Sequence, residues 1–285
     1  MSDRDWLDAA DLAMPESAYL SHVSRIQCTG LDVGPARPVH FTIAGDHHLA
    51  VNGIFLHRTE VMPPRDDIGV TPGAAFIQCC ASMRLVDLIV IGDHLLRTGL
   101  VTLEEIVGLS RLHPWRPGAH EARWVVPWLD HRSRSPKESE LRAFVVASGL
   151  PSPEVNTELF GFDGTSLGIG DLVFRLWRLV AEYEGRQHAE DTVQFRTDIE
   201  RYAGFRQHDV AYVQVTAAMI ANPVGAVHRI YAALVRQGYA GPPPTFSANW
   251  GALFQGVRVS RAGGGPSTES DPGEVDDAPQ ASRCG

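Results

Sequence analysis

The sequence predicts an α/β protein of two domains, on three observations. Its 285 residues are enough to bury two cores. Alternating runs of strand type fall in two groups, near residues 39–58 and 154–216, each accompanied by helical stripes. Between the groups, Arg111 to Arg134 is irregular and rich in His, Trp, Pro and Arg, which reads as a junction. The expected division is a small α+β domain over 1–112, a linker over 113–134, a mixed sheet flanked by helices over 135–240, a C-terminal extension over 241–258 and a disordered tail over 259–285.

In the first half a short helical opening leads to a second helix over Glu16 to Gln27, started by Pro15 and stopped by Thr29-Gly30. Val39-His40-Phe41-Thr42-Ile43 and Gly53-Ile54-Phe55-Leu56-His57-Arg58 read as strands, joined by the polar loop Gly45-Asp46-His47-His48. Thr71 before Pro72 opens an apolar helix over Ala74 to Val86. Leu85 to Thr98 is a further helix, and Thr102 with Glu105 has capping-box spacing at the start of another. His40, His47, His48 and His57 have no Cys or acid at ligand spacing and are not read as a second metal site.

The second half opens on a helix over 135–148, with Ser135 as N-cap, Pro136 at the first position and Glu138 near the positive end of the macrodipole. Leu141, Phe144 and Val145 form its inner stripe, and Gly149 ends it. A strand over Glu154 to Phe160 turns through Gly161-Phe162-Asp163-Gly164. A hairpin then pairs Gly170-Asp171-Leu172-Val173-Phe174 with Val180-Ala181-Glu182-Tyr183-Glu184-Gly185 across Arg175-Leu176-Trp177-Arg178. A helix over Ala189 to Arg206, a strand over Val210 to Thr216 and a helix over Val224 to Arg236 complete the domain.

That hairpin carries the chemistry. Alternation puts Glu182 and Glu184 on one face and Tyr183 on the other, toward the core. Asp171 opens the partner strand, where pairing brings it opposite Glu182. Three acids crowded in this way repel one another unless a divalent cation neutralises them. Asp171 and Glu182 are the expected metal ligands. The expected ion is Mg²⁺ or Mn²⁺, bound by oxygen.

Composition limits the remaining options. A net charge of −9 argues against a protein that coats polyanions wholesale, without excluding DNA as a substrate. The N-terminal residues lack a secretory pattern and no apolar run reaches membrane-spanning length, so a cytoplasmic protein without membrane contact is expected. Its four cysteines, Cys28, Cys79, Cys80 and Cys284, have no CxxC spacing and are read as reduced, with Cys79 and Cys80 on a buried helix.

Five blocks in order resemble the PD-(D/E)xK nuclease core, and most closely its branch related to very-short-patch-repair endonucleases. They are Ser135-Pro136-Lys137-Glu138-Ser139-Glu140-Leu141-Arg142, Gly149-Leu150-Pro151-Ser152-Pro153-Glu154-Val155-Asn156, Asp171-Leu172, Glu182-Tyr183-Glu184-Gly185-Arg186-Gln187-His188, and Arg196-Thr197-Asp198-Ile199-Glu200-Arg201. The resemblance implies a restriction-endonuclease-like core and metal-dependent hydrolysis of DNA phosphodiesters, with Asp171, Glu182, Glu184, His188 and Glu138 as catalytic candidates; it also makes the Tyr183 carbonyl the candidate third metal ligand and has Glu138 complete the shell directly or through water. Superfamily members commonly carry Lys where this chain has Glu184, so His188, helped by Gln187, is the candidate for proton transfer. Arg186, Gln187, Arg196 and Arg201 are the candidates for nucleic-acid contact. Val39-His40-Phe41-Thr42, His57-Arg58, Gly69-Val70-Thr71-Pro72 and Val90-Ile91-Gly92-Asp93-His94-Leu95-Leu96 in turn resemble the antitoxin-type domain of AbiEi-family antitoxins, over roughly residues 15 to 110. Two function classes follow. One is a metal-dependent endodeoxyribonuclease in repair or defence; the other is an inactive nuclease scaffold serving as an antitoxin-like regulator or as a DNA- or partner-binding protein. The oligomeric state is open, a homodimer among the options.

Overall fold

Two mixed sheets edged by helices make the α/β architecture in the computed structural model, which describes residues 3–47, 49–184 and 201–257. The tail beyond 257, with Cys284, lies outside the described residues. Among the described residues no helix is long and apolar enough to cross a membrane.

The first sheet has the order β1-β2-β3, from Ala18–Leu20, Val39–Ala44 and Ile54–Thr59. Helix α1 (Asp3–Ala13) precedes it, and α2 (His22–Gln27) follows β1. The sequence predicts one helix over 16–27, but its first part is β1, with Ala18 and Leu20 buried and paired antiparallel to Ile43 and Phe41. Pairing with a distant strand outweighs local helix propensity there. Strands β2 and β3 run parallel, Val39 beside Ile54 and Ala44 beside Thr59, so their connection returns the chain to the same end of the sheet.

Helices α3 (Pro72–Cys80), α4 (Leu85–Arg97) and α5 (Leu103–Leu112) follow. Cys79 and Cys80 are buried and unoxidised on α3, where burial pushes both thiols up. The capping box at α5 forms as expected, Glu105 N donating to Thr102 Oγ1 at 3.1 Å. The predicted helix over 74–86 stops at Cys80, and α4 starts afresh at Leu85. The new start is possible because the C-terminal segment supplies acceptors: Leu85 N donates to Gln255 O at 3.1 Å and Val86 N to Leu253 O at 3.0 Å. That segment, expected as a mere extension, carries α11 (Ala248–Ala252) and buries Trp250 and Leu253.

The expected irregular linker is also structured. Helix α6 (Ala119–Val125) lies inside it and buries Ala119, Ala122 and Val125. Its N-cap, Gly118, has φ 87° and sits so close to α3 that an added Cβ would fall 1.8 Å from the Ile77 carbonyl oxygen. An apolar stripe of three small residues among Trp, Pro and Arg gave little periodicity to read.

The second half follows the expected order of helix, strand, hairpin, helix, strand and helix. Helix α7 (Pro136–Ala147) is capped by Ser135, whose Oγ accepts from Glu138 N at 3.2 Å. The second sheet has the order β4-β5-β6-β7, from Glu154–Phe160, Ser166–Phe174, Leu179–Glu184 and Ala211–Thr216. Its first two pairings are antiparallel and the last is parallel. Helix α8, described over 201–207, precedes β7, and α9 (Ala217–Ile220) and α10 (Pro223–Arg236) follow it. On one sheet face Leu172, Phe174, Leu179, Ala181, Val213 and Val215 join the buried side chains of α7 and α10. On the other, Leu159, Val173 and Val180 meet Phe205 of α8.

The buried residues do not divide at 113–134. One contiguous cluster runs from Val23 to Leu253 and takes side chains from both halves, with α4 against α7 as a principal contact. At that contact Asp93 and Arg142, 1% and 9% exposed at their side chains, form an ion pair of 2.8 Å. Asp93 Oδ1 also accepts from Asp130 N at 2.7 Å. Burial pushes the Asp93 carboxyl up, against the pull of the guanidinium. Gly92 beside it leaves room for Leu129, whose Cδ2 would stand 2.5 Å from an added Cβ.

Arg142→Met leaves the Asp93 carboxylate buried without its cation and is expected to cost about 3–5 kcal/mol in urea unfolding. Asp93→Asn added to it removes the orphaned charge while keeping an acceptor for Asp130 N, and is expected to recover a large part of the loss.

Candidate functional site

The last ladder pair between β5 and β6 on the open side is Leu172 with Ala181, so the next step sets Asp171 across from Glu182. In place of a further main-chain bond, Asp171 Oδ2 accepts the Tyr183 amide proton at 2.9 Å. Glu182 in turn lies beside Gln214 of β7. Val180 and Tyr212, two residues earlier, form the apolar row on the same face. The sheet face toward α8 is thus apolar at one end and polar at the other, and the change falls at the three neighbours Asp171, Glu182 and Gln214.

Tyr183 faces the opposite way and packs on the main core, as alternation requires. Glu184 is on the face of Glu182, opposite Thr216, and half-buried. Glu138 enters from the first turn of α7 and is buried. Its Oε2 accepts from Arg134 N at 2.8 Å and from Asn156 Nδ2 at 2.7 Å. Asn156 belongs to β4 at the position facing Asp171, where the ladder skips from Val155 with Leu172 to Thr157 with Gly170. Its φ of 45° is left-handed, which Asn tolerates better than most residues.

Asp171 is pushed up to about 6, first by burial and then by the Glu138 charge; the Tyr183 amide and the Arg201 and Arg134 charges act against this. Arg201 of α8 forms an ion pair with Glu182 and donates to Ile169 O at 3.0 Å. Glu182 Oε1 is nevertheless buried without an aligned hydrogen-bond donor.

The predicted residues therefore separate into groups. Asp171 and Glu182 are adjacent, Glu138 acts electrostatically on Asp171, Tyr183 is bonded to Asp171, Glu184 extends the polar face, and Arg201 stands against Glu182. Arg186, Gln187, His188 and Arg196 lie outside the described residues. Among the described residues no three His, Cys, Asp or Glu side chains are gathered to hold a metal ion as they stand. The reason is visible in the partners: Glu138 is turned to Arg134 and Asn156, and Glu182 to Arg201. The donor chemistry still suits a hard cation, since all the candidate groups offer oxygen and Asp171 is destabilised as an anion. Sequence reasoning missed Asn156, although it ends one of the five blocks; an Asn at a strand kink was the available signal.

The histidines of the first half form a separate group. His40 Nδ1 and His57 Nε2 are 2.9 Å apart, and the rings of His22 and His57 stack at 3.6 Å between centroids. His47 is exposed and His48 lies outside the described residues. Burial and the neighbouring imidazoles push His57 down to about 4 and His22 to about 2.

No family model matches the chain, and no solved structure matches it. Two relatives come from Mycobacterium tuberculosis: "Uncharacterized protein Rv2248" of strain H37Rv and "Uncharacterized protein MT2308" of strain CDC 1551 / Oshkosh. Each is 23% identical over 204 residues, which cover 70% of this chain and 75% of the relative.

Two titrations check this electrostatic picture. Asp171 has a folded value of about 6, above its ordinary 3.8, so its contribution to stability is full below about pH 4 and lost as pH rises through about 6. Asp171→Asn keeps an acceptor for the Tyr183 amide. It should match the wild type near pH 4 and exceed it near pH 7 by on the order of 2–3 kcal/mol, read from urea melts at each pH. For His57 the folded value is depressed, so its stabilisation is present above about pH 6.5 and lost as pH falls toward about 4. His57→Gln, which can still bond His40, should flatten the loss of stability over that window.

Proposed function

We propose that the chain is a metal-dependent endodeoxyribonuclease whose site is built on Glu138, Asp171 and Glu182. The observation that carries this reading is the placement of Asp171 directly across from Glu182, with Asp171 held at about 6 by burial and by Glu138. Such crowding of acids costs stability, and proteins keep costly carboxylate clusters where chemistry uses them. The order of elements and the five sequence blocks add to it.

Asp171, Glu182 and the Tyr183 carbonyl would hold a Mg²⁺ or Mn²⁺ ion, with Glu138 joining directly or through water. When bound, the ion would acidify a water and offset charge on the phosphate. Glu182 would exchange its contact with Arg201 for the ion, which frees the Arg201 guanidinium to meet a phosphate oxygen. Glu138, anchored by Arg134 N and Asn156, would set the depth of the site from α7. Glu184, on the same face as Glu182, and His188, close behind in the chain, are the candidates for moving the proton. Double-stranded DNA is the proposed substrate.

The ion pair between Arg201 and Glu182 favours a second reading, in which the acids are already neutralised and the fold serves as an antitoxin-like or DNA-binding scaffold. Incubation with plasmid and single-stranded DNA in Mg²⁺ or Mn²⁺ separates the two. On the nuclease reading the wild type cuts, and Asp171→Asn and Glu182→Gln each lower the rate at least about 100-fold, a few kcal/mol of lost transition-state stabilisation. Absence of cutting, or cutting indifferent to both changes, overturns it. DNA binding without cutting supports the scaffold.

A further inference from the structure

A cavity of about 270 Å³ lies in the first half, remote in sequence from the acids on β5 and β6. His22 and His57 line it, as do Trp115, Arg116, Ile77 and Leu109. Its surfaces are mostly flat or apolar, including the stacked imidazoles and the Trp115 ring.

Arg116 is the unusual member. It forms no ion pair with a carboxylate among the described residues, its Nη2 donates only to Met62 O at 3.3 Å, and its Nε is buried without a partner. The guanidinium lies 4.7 Å from the Trp115 ring centroid, and burial lowers its hold on its proton. A buried guanidinium donor without an acceptor is costly, and the planar fork of Arg is suited to a carboxylate. Arg58, the other cation at the cavity, is already paired with Asp46. The His22 and His57 imidazoles are neutral at ordinary pH, so the Arg116 guanidinium is the charge beside them for a ligand to meet.

We infer that this cavity binds a small planar monoanion, an aromatic carboxylate, with the carboxylate on Arg116 and the ring against the His22–His57 stack. The size agrees: an apolar cavity of about 150 Å³ accepts benzene in another protein, and the remainder here leaves room for the carboxylate and its water. A neutral amide of the same shape would leave the guanidinium charge unmet and should be rejected.

The probe is para-fluorobenzoate, followed by fluorine NMR with the full chain. The wild type should give a saturable shift below about 10 mM. Arg116→Gln should weaken binding by about tenfold or more, while benzamide should fail to displace the probe. Ser82 is exposed at the cavity, so Ser82→Phe obstructs it from a surface position and should also abolish the shift. No saturable shift by folded wild type overturns the proposal. So does binding that Arg116→Gln leaves within about twofold, or displacement by benzamide equal to that by benzoate.

Discussion

The register of β5 on β6 is the constraint from which the candidate site follows. Once Leu172 is set against Ala181, side-chain alternation decides that Asp171 and Glu182 share a face and a row. A slip of β5 by one residue would turn Asp171 into the main core, away from Glu182, and bring Leu172 out of it. Burial of the apolar neighbours thus forces the two carboxylates together. Their repulsion is then tempered by what surrounds them: the Tyr183 amide on Asp171, Arg201 on Glu182, and Arg134 N with Asn156 on Glu138.

The position of the third acid depends on the other half of the chain. Glu138 stands in the first turn of α7, and Arg142, one turn later on the same helix, is fixed by Asp93 of α4. Asp93 also anchors Asp130 N, which begins the approach to α7. The first half is therefore part of the support of the acidic site, joined to it by a buried charge pair and a shared apolar core. An ion pair in that environment contributes little net stability compared with an apolar contact, yet it tolerates few alternative packings. Its consequence is a fixed seat for α7.

What the sequence made legible was local. Ser135 with Glu138, Thr102 with Glu105 and the Gly161 to Gly164 turn each involve neighbours in the chain, and each forms where spacing indicated. The adjacency of Asp171 and Glu182 was legible for the same reason, since a short connection fixes a hairpin's register. Pairings between distant segments were not: β1 on β2, the parallel β2 and β3, and the use of 253–255 to begin α4 leave no periodic trace. Arg142 and Asp93 illustrate the limit. Each stands inside a recognisable motif, but nothing in either motif says that the two meet.

Charge accounting at the acids bears on the two readings of the site. Arg201 can neutralise Glu182, but a single guanidinium leaves Asp171 and Glu138 facing each other, and Arg134, an exposed residue, acts on Asp171 from a distance. Asp171 sits at about 6, first because burial penalises its charge and second because Glu138 repels it, and the arginines offset only part of this. With all its described partners in place, Asp171 is still destabilised as an anion. A protein using these residues only as a scaffold gains nothing from that destabilisation, because an uncharged residue at 171 could accept the Tyr183 amide as well. On the proposed nuclease reading a divalent ion would stabilise the Asp171 anion where burial and Glu138 destabilise it, and that is the electrostatic argument for a cation site over a silent one.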